Sequence, residues 1–139
     1  MIRNALLALA PAGLLAGCAT LPAPTSDGFA RFGESTRAGK VVVRPETLVE
    51  DSRCPMNARC IWAGRVVIDT TVWVDSQKYP ARLTLGEPVP IAGGQLVLDS
   101  VEPSRTTQQG DIPKADYSFH FEFSLGPVPL RMGGSGSAG

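Results

Sequence analysis

The sequence predicts an all-β fold, a small antiparallel β-sandwich or open barrel of about six to seven strands. Three observations carry that expectation. Gly (15) and Pro (12) are both frequent for 139 residues, and with many Val and Thr this composition favours strands and turns over helices. Asp116–Leu125 reads DYSFHFEFSL, so that Tyr117, Phe119, Phe121, Phe123 and Leu125 alternate with Ser118, His120, Glu122 and Ser124. A period of two marks a strand with one buried face. The other β-branched runs are short and separated by Gly, Pro and Ser at regular intervals, which is the spacing of a small sandwich. The length fits one domain. With 13 basic and 13 acidic residues the net charge is zero, the charges are mixed, and no basic stripe of the kind that binds nucleic acid is present.

In chain order, residues 1–17 read as a signal peptide. Arg3 supplies a positive start, Ala5 to Ala16 is an apolar run too short to span a bilayer, and the run ends in Leu15-Ala16-Gly17-Cys18. That ending resembles a bacterial lipobox. The resemblance implies cleavage before Cys18, lipid on its sulfur and acylation of its new amino group. Two or more acyl chains anchor a protein stably, at about 0.8 kcal/mol per buried methylene. Ala19, rather than Asp, follows the cysteine, which in the lipoproteins it resembles implies the outer membrane, with the domain facing the periplasm or the cell surface. Residues 18–36 are expected to hold the lipidated Cys and a flexible tether, since Ala19–Asp27 is Pro-rich and polar. Phe29 and Phe32 are candidates to tuck into an edge of the domain.

The β-sandwich domain is expected over residues 37–126. Ala38–Arg44 predicts a strand, Pro45 interrupts pairing because it has no N–H, and Thr47–Glu50 predicts a second short strand. Arg65–Asp75 (RVVIDTTVWVD) predicts the longest strand, with Val66, Ile68, Thr70, Val72 and Val74 on the core face. Val67, Asp69, Thr71, Trp73 and Asp75 form a mixed, partly solvated face. Ser76-Gln77 reads as a turn, Tyr79–Leu85 as a strand and Gly86–Gly94 as a Gly/Pro connection. Gln95–Val101 follows as a strand with Leu96, Leu98 and Ser100 on one side. Pro103–Ala115 is a long polar loop before the aromatic strand. Residues 127–139 end in GGSGSAG and predict a disordered tail.

Glu50–Gly64 (EDSRCPMNARCIWAG) concentrates the residues with chemistry. The lipobox implies an oxidising compartment, and with Cys18 taken by lipid the remaining pair, Cys54 and Cys60, is expected to form a disulfide. Asp51 and Ser52 have short side chains suited to bonding turn N–H groups. Gly64 permits a positive φ before the long strand. Trp62 is expected to pack beside the disulfide or on Arg53 or Arg59 as a cation–π pair. Asp51-Ser52-Arg53-Cys54-Pro55 followed by Cys60-Ile61-Trp62-Ala63-Gly64 resembles the loop of a family of small, uncharacterised bacterial envelope lipoproteins. The likeness is specific over this loop and implies location, disulfide and fold class, with no activity to carry over.

Three roles for the loop follow. It is a structural staple with Asp51, Arg53 and Trp62 as supports, or a binding loop (Asp51, Arg53, Met56, Arg59 and Trp62) docking an envelope protein or a glycan, or a copper site built from Cys54, Met56, Cys60 and His120. A hydrolase is a further alternative. The only histidine, His120, shares a strand face with Ser118, Glu122 and Ser124, but side chains along one strand project in parallel rather than converging. Glu50, Asp51, Asp69 and Asp75 offer acid pairs no better than any β protein does. No nucleophile, zinc, phosphate-loop or dinucleotide motif is present. The expectation is therefore a lipid-anchored envelope protein with a non-enzymatic binding or structural role and without catalytic, cofactor or metal residues.

Overall fold

The computed structural model describes residues 22–126. The expected signal peptide, the lipidation at Cys18 and the expected tail at 127–139 lie outside them. The chain forms eight strands: β1 (Phe29–Ala30), β2 (Thr36–Ala38), β3 (Val41–Asp51), β4 (Val66–Val74), β5 (Gln77–Thr84), β6 (Pro88–Ile91), β7 (Gly94–Glu102) and β8 (Ser118–Leu125). One turn of 3-10 helix, Lys114–Asp116, precedes β8. Two four-stranded antiparallel sheets result, in the orders β2-β3-β4-β5 and β1-β8-β7-β6. The chain starts in the second sheet, crosses to build the whole of the first, and returns to finish the second.

The predicted core faces meet between the sheets. Val41, Val43, Val66, Ile68, Val72 and Leu83 from one sheet pack against Leu96, Leu98, Val101, Tyr117, Phe119 and Phe121 from the other. Each large apolar side chain so buried stabilises the fold by about 1.5–3 kcal/mol relative to exposure. Phe32 closes one edge, meeting Phe119 edge-on at a centroid distance of 4.8 Å. The aromatic ladder of β8 thins towards its end: Phe123 is partly buried and Leu125 is exposed. The two buried hydroxyls are bonded, Thr36 by the Thr25 hydroxyl at 2.8 Å and Thr70 to the Ala81 carbonyl at 2.8 Å.

Several local expectations are corrected. Residues 25–36 are not tether. Thr25 bridges to Thr36, Phe29 and Ala30 pair with His120 and Phe119, and Thr36 begins β2. Ala38 ends β2 rather than starting the next strand, and Gly39-Lys40 turns the chain into β3. Pro45 does not split β3. The strand runs through it with register shifts at Pro45/Thr47 and Leu48/Glu50, because a bulge is where a strand tolerates a residue without an N–H. The turn after β4 sits at Asp75-Ser76, with φ 54° at Asp75. The Gly/Pro connection contains β6, an edge strand. Pro88 and Pro90 are two residues apart, so their N–H-less sides face the same way and leave Val89 and Ile91 to pair with β7. In β7 a bulge between Leu98 and Ser100 replaces Ser100 by Val101 on the core face.

Candidate functional site

The stretch Glu50–Gly64 is the loop of the β3–β4 hairpin, and its base continues the ladder. Ser52 N–H donates to the Arg65 carbonyl at 2.9 Å and Cys54 N–H to the Ala63 carbonyl at 3.1 Å. Gly64 has φ +68°, and a Cβ there would run into the Ser52 carbonyl. Only glycine lets the two chains approach this closely. Beyond that neck, Cys54 and Cys60 are joined by a disulfide with a Cα–Cα distance of 5.9 Å, as expected. The tip then clips to the polar loop before β8. Met56 N–H donates to the Arg105 carbonyl at 2.9 Å, Asn57 Nδ2 donates to Thr107 Oγ1 at 2.6 Å, and Thr107 N–H returns to Asn57 Oδ1 at 2.8 Å.

Beneath the tip lies a polar cluster that ties the sheets together. Asp51 takes two bonds from Arg53, from Nε at 2.9 Å and from Nη2 at 2.8 Å. The Tyr117 hydroxyl donates to the same carboxylate at 2.7 Å. Arg53 Nη1 crosses to the Val101 carbonyl at 3.0 Å, and Arg105 Nη1 reaches the Asp51 carbonyl at 2.8 Å. Side-chain exposure is 14% for Arg53 and 5% for Asp51. Burial by itself would raise the Asp51 carboxyl, but the bonds from Arg53 and Tyr117 outweigh it and hold the group below the usual carboxylate range. Burial, reinforced by the Asp51 charge, pushes the Tyr117 phenol up to about 12. The pair on Asp51 raises Arg53 further, against its own burial.

The predicted loop residues therefore divide. Asp51 and Arg53 are supports, so Arg53 is not presented to a partner, contrary to the binding-loop expectation. Trp62 is neither a support nor a cation–π partner of the loop arginines. It stands 78% exposed beside Ile61 at 89%, with Met56 at 76%. Arg59 is exposed too. The sequence reading missed Ile61, which an apolar residue between Cys60 and Trp62 signals, and it missed Tyr117 as the ligand of Asp51, which only tertiary contact reveals.

The copper grouping is not assembled. Cys54 and Cys60 are bonded to each other, and His120 lies on the outer face of the second sheet, opposite to buried Phe119 and Phe121. The Ser/His/Glu grouping along β8 is not assembled either: His120 Nδ1 meets Asp99 Oδ2 at 3.2 Å, its Nε2 edge abuts Gly28, and among the described residues no serine is bonded to the ring. Glu50, Asp51 and Asp69 are each tied to an arginine, at 2.8, 2.8 and 2.7 Å.

His120 faces a cleft of about 920 Å³ lined also by Asp27, Gly28, Arg37, Asp99 and Glu122. The Phe29 ring packs on the imidazole at a centroid distance of 4.5 Å. Gly28 (φ +79°) abuts its other edge, where a Cβ would lie 2.9 Å from Nε2. Asp27 accepts from the Phe29 N–H at 3.1 Å, and that bond, helped by Thr25, holds its carboxyl below the usual range. Comparison with known proteins finds no match: no family model, curated protein or solved structure matches the chain.

Proposed function

We propose that this chain is a lipid-anchored bacterial envelope protein whose stapled loop binds a protein partner, with no catalytic role. The observation that carries the reading is the tip itself. Met56, Ile61 and Trp62 are largely exposed on a loop closed by a disulfide and clipped to its neighbour. Leaving large apolar groups in water is unfavourable, and Trp and Met are enriched at interface centres. Holding them stiffly reduces the entropy lost on docking. Three apolar side chains of different shape, with Arg59 beside them, match a pocket with an acidic rim on a protein better than they match a hydroxyl-rich glycan. The lipobox and the likeness of the loop to those of envelope lipoproteins support the location.

A photo-crosslinking residue at Ile61, activated in the intact envelope, tests this. The expected result is one discrete protein adduct that is absent when the crosslinker sits at Lys78 and is lost in Trp62→Ala. Equal labelling from both positions, or adducts to glycan or lipid alone, would remove the proposal.

A further inference from the structure

The cleft around His120 offers a second and separate chemistry. Asp99, His120 and Glu122 can each direct one donor atom to a common point, the three atoms lying within 4.8 Å of one another. Two strands create the convergence. His120 and Glu122 share the outer face of β8, and the cross-strand partners of these residues are Ser100 and Val97. In an unbroken ladder the facing position would belong to a residue in regular register. The bulge in β7 inserts Asp99 between those partners and turns its carboxylate towards the imidazole. Bulges commonly serve to re-aim a side chain in this way.

The geometry suits an ion. Donors about 2.0–2.2 Å from a zinc ion at the tetrahedral angle stand roughly 3.4 Å apart, and His120 Nδ1 and Asp99 Oδ2 are 3.2 Å apart in a direct contact that an ion would replace with little movement. The imidazole is already held, between the Phe29 ring and Gly28. Glu122 is exposed and, among the described residues, its carboxylate has no hydrogen-bond or salt-bridge partner, so it is free to swing in as the third ligand. The remaining coordination positions open to the cleft, whose lining also includes Arg37.

We propose that Asp99, His120 and Glu122 form a site for a divalent first-row transition ion, with zinc as the fitting case. One imidazole and two carboxylates suit zinc and its neighbours, while magnesium and calcium favour oxygen ligands alone. The site differs from the loop tip in both residues and sheet, so either reading can fail without the other.

The test uses the full chain, without an affinity tag and with the disulfide formed. Calorimetric titration with zinc chloride is expected to show one saturable site per chain, with magnesium giving none. Because His120 is the only histidine, its ring signals in proton NMR need no assignment and should shift on adding zinc. His120→Ala and the isosteric Glu122→Gln should each weaken zinc binding more than about tenfold. Zinc binding of unchanged affinity in both variants, unmoved ring signals, or no saturable binding would each overturn the site. Glu122 is exposed, so its variant reads the ligand role even if His120→Ala fails to fold.

Discussion

At the scale of single residues, Asp51 is the side chain whose surroundings make the sharpest demand. Its carboxylate is nearly buried and accepts from Arg53 and Tyr117. Its folded pKa lies below its unfolded one. A group of that kind contributes stability that is fully present above the unfolded value, about 3.9, and lost as pH falls through the folded value. The protein should therefore lose stability steeply below about pH 4, and Asp51→Asn should flatten that limb of the curve while lowering stability at neutral pH. Urea denaturation across an acid pH series measures both. Arg53→Ala should be worse than Asp51→Asn at neutral pH, costing about 3–5 kcal/mol, because it leaves a buried carboxylate without its counter-charge. If the two variants are equally stable and the acid limb is unchanged, the cluster is not what joins the sheets at this end.

At the scale of elements, the β3–β4 hairpin and its loop are held in three ways: the neck ladder, the disulfide and the clip to the Arg105–Thr107 segment. The aromatic core lies outside this loop. Replacing Cys54 and Cys60 by serine should thus leave a folded sandwich that is less stable by about 2.4 kcal/mol, the chain-entropy value for a closed loop of roughly seven residues. Gly64→Ala should cost more than about 1 kcal/mol through its positive φ alone, with the clash against Ser52 in addition. Matched urea curves, read with near-ultraviolet circular dichroism, check both. The core-bearing strands β4 and β8 are legible because apolar and polar residues alternate along most of each, although Val67, expected on the partly solvated face of β4, is buried together with Val66 and Ile68. Of the strands that differ from the sequence expectation, β3 and β6 contain prolines and β7 a bulge, while β1 and β2 are two and three residues long, too short to show a period. Pro45, Pro88 and Pro90 look like breaks when each residue is considered alone, and become permissible only once the sheet places them at a bulge or on an edge. Asp99 was missed for the same reason, since its direction is set by a register shift that period-two counting cannot see.

At the scale of the whole molecule, the fold changes how far the domain can stand from a membrane. A tether reaching to residue 36 would allow a long excursion, but folded structure begins at Thr25, which bridges to Thr36 and bonds the Phe29 carbonyl. If Cys18 carries the lipid, only the six residues from Ala19 to Pro24 separate anchor from sandwich, so that Thr25 stands at most about 25 Å from Cys18. The domain would then work close to the membrane surface, and a partner of the loop tip would have to be membrane-proximal. Among the described residues no helix is long and apolar enough to cross a bilayer. If Cys18 carries the lipid, Cys18→Ser should move the chain from the envelope membrane fraction to the soluble fraction and leave the unfolding curve of the sandwich unchanged. Fractionation followed by urea denaturation of the released protein measures both parts. Retention of the Cys18→Ser chain on the membrane would mean that the apolar run from Ala5 to Ala16 stays uncleaved or that another surface holds the chain there, and the size of the retained chain separates the two. The exposed Ile61–Trp62 tip would be the first to examine, with its partner then a lipid rather than a protein. The same fractionation of a Cys18→Ser chain that also carries Trp62→Ala separates those two outcomes, since release by the second substitution alone assigns the residual binding to the tip.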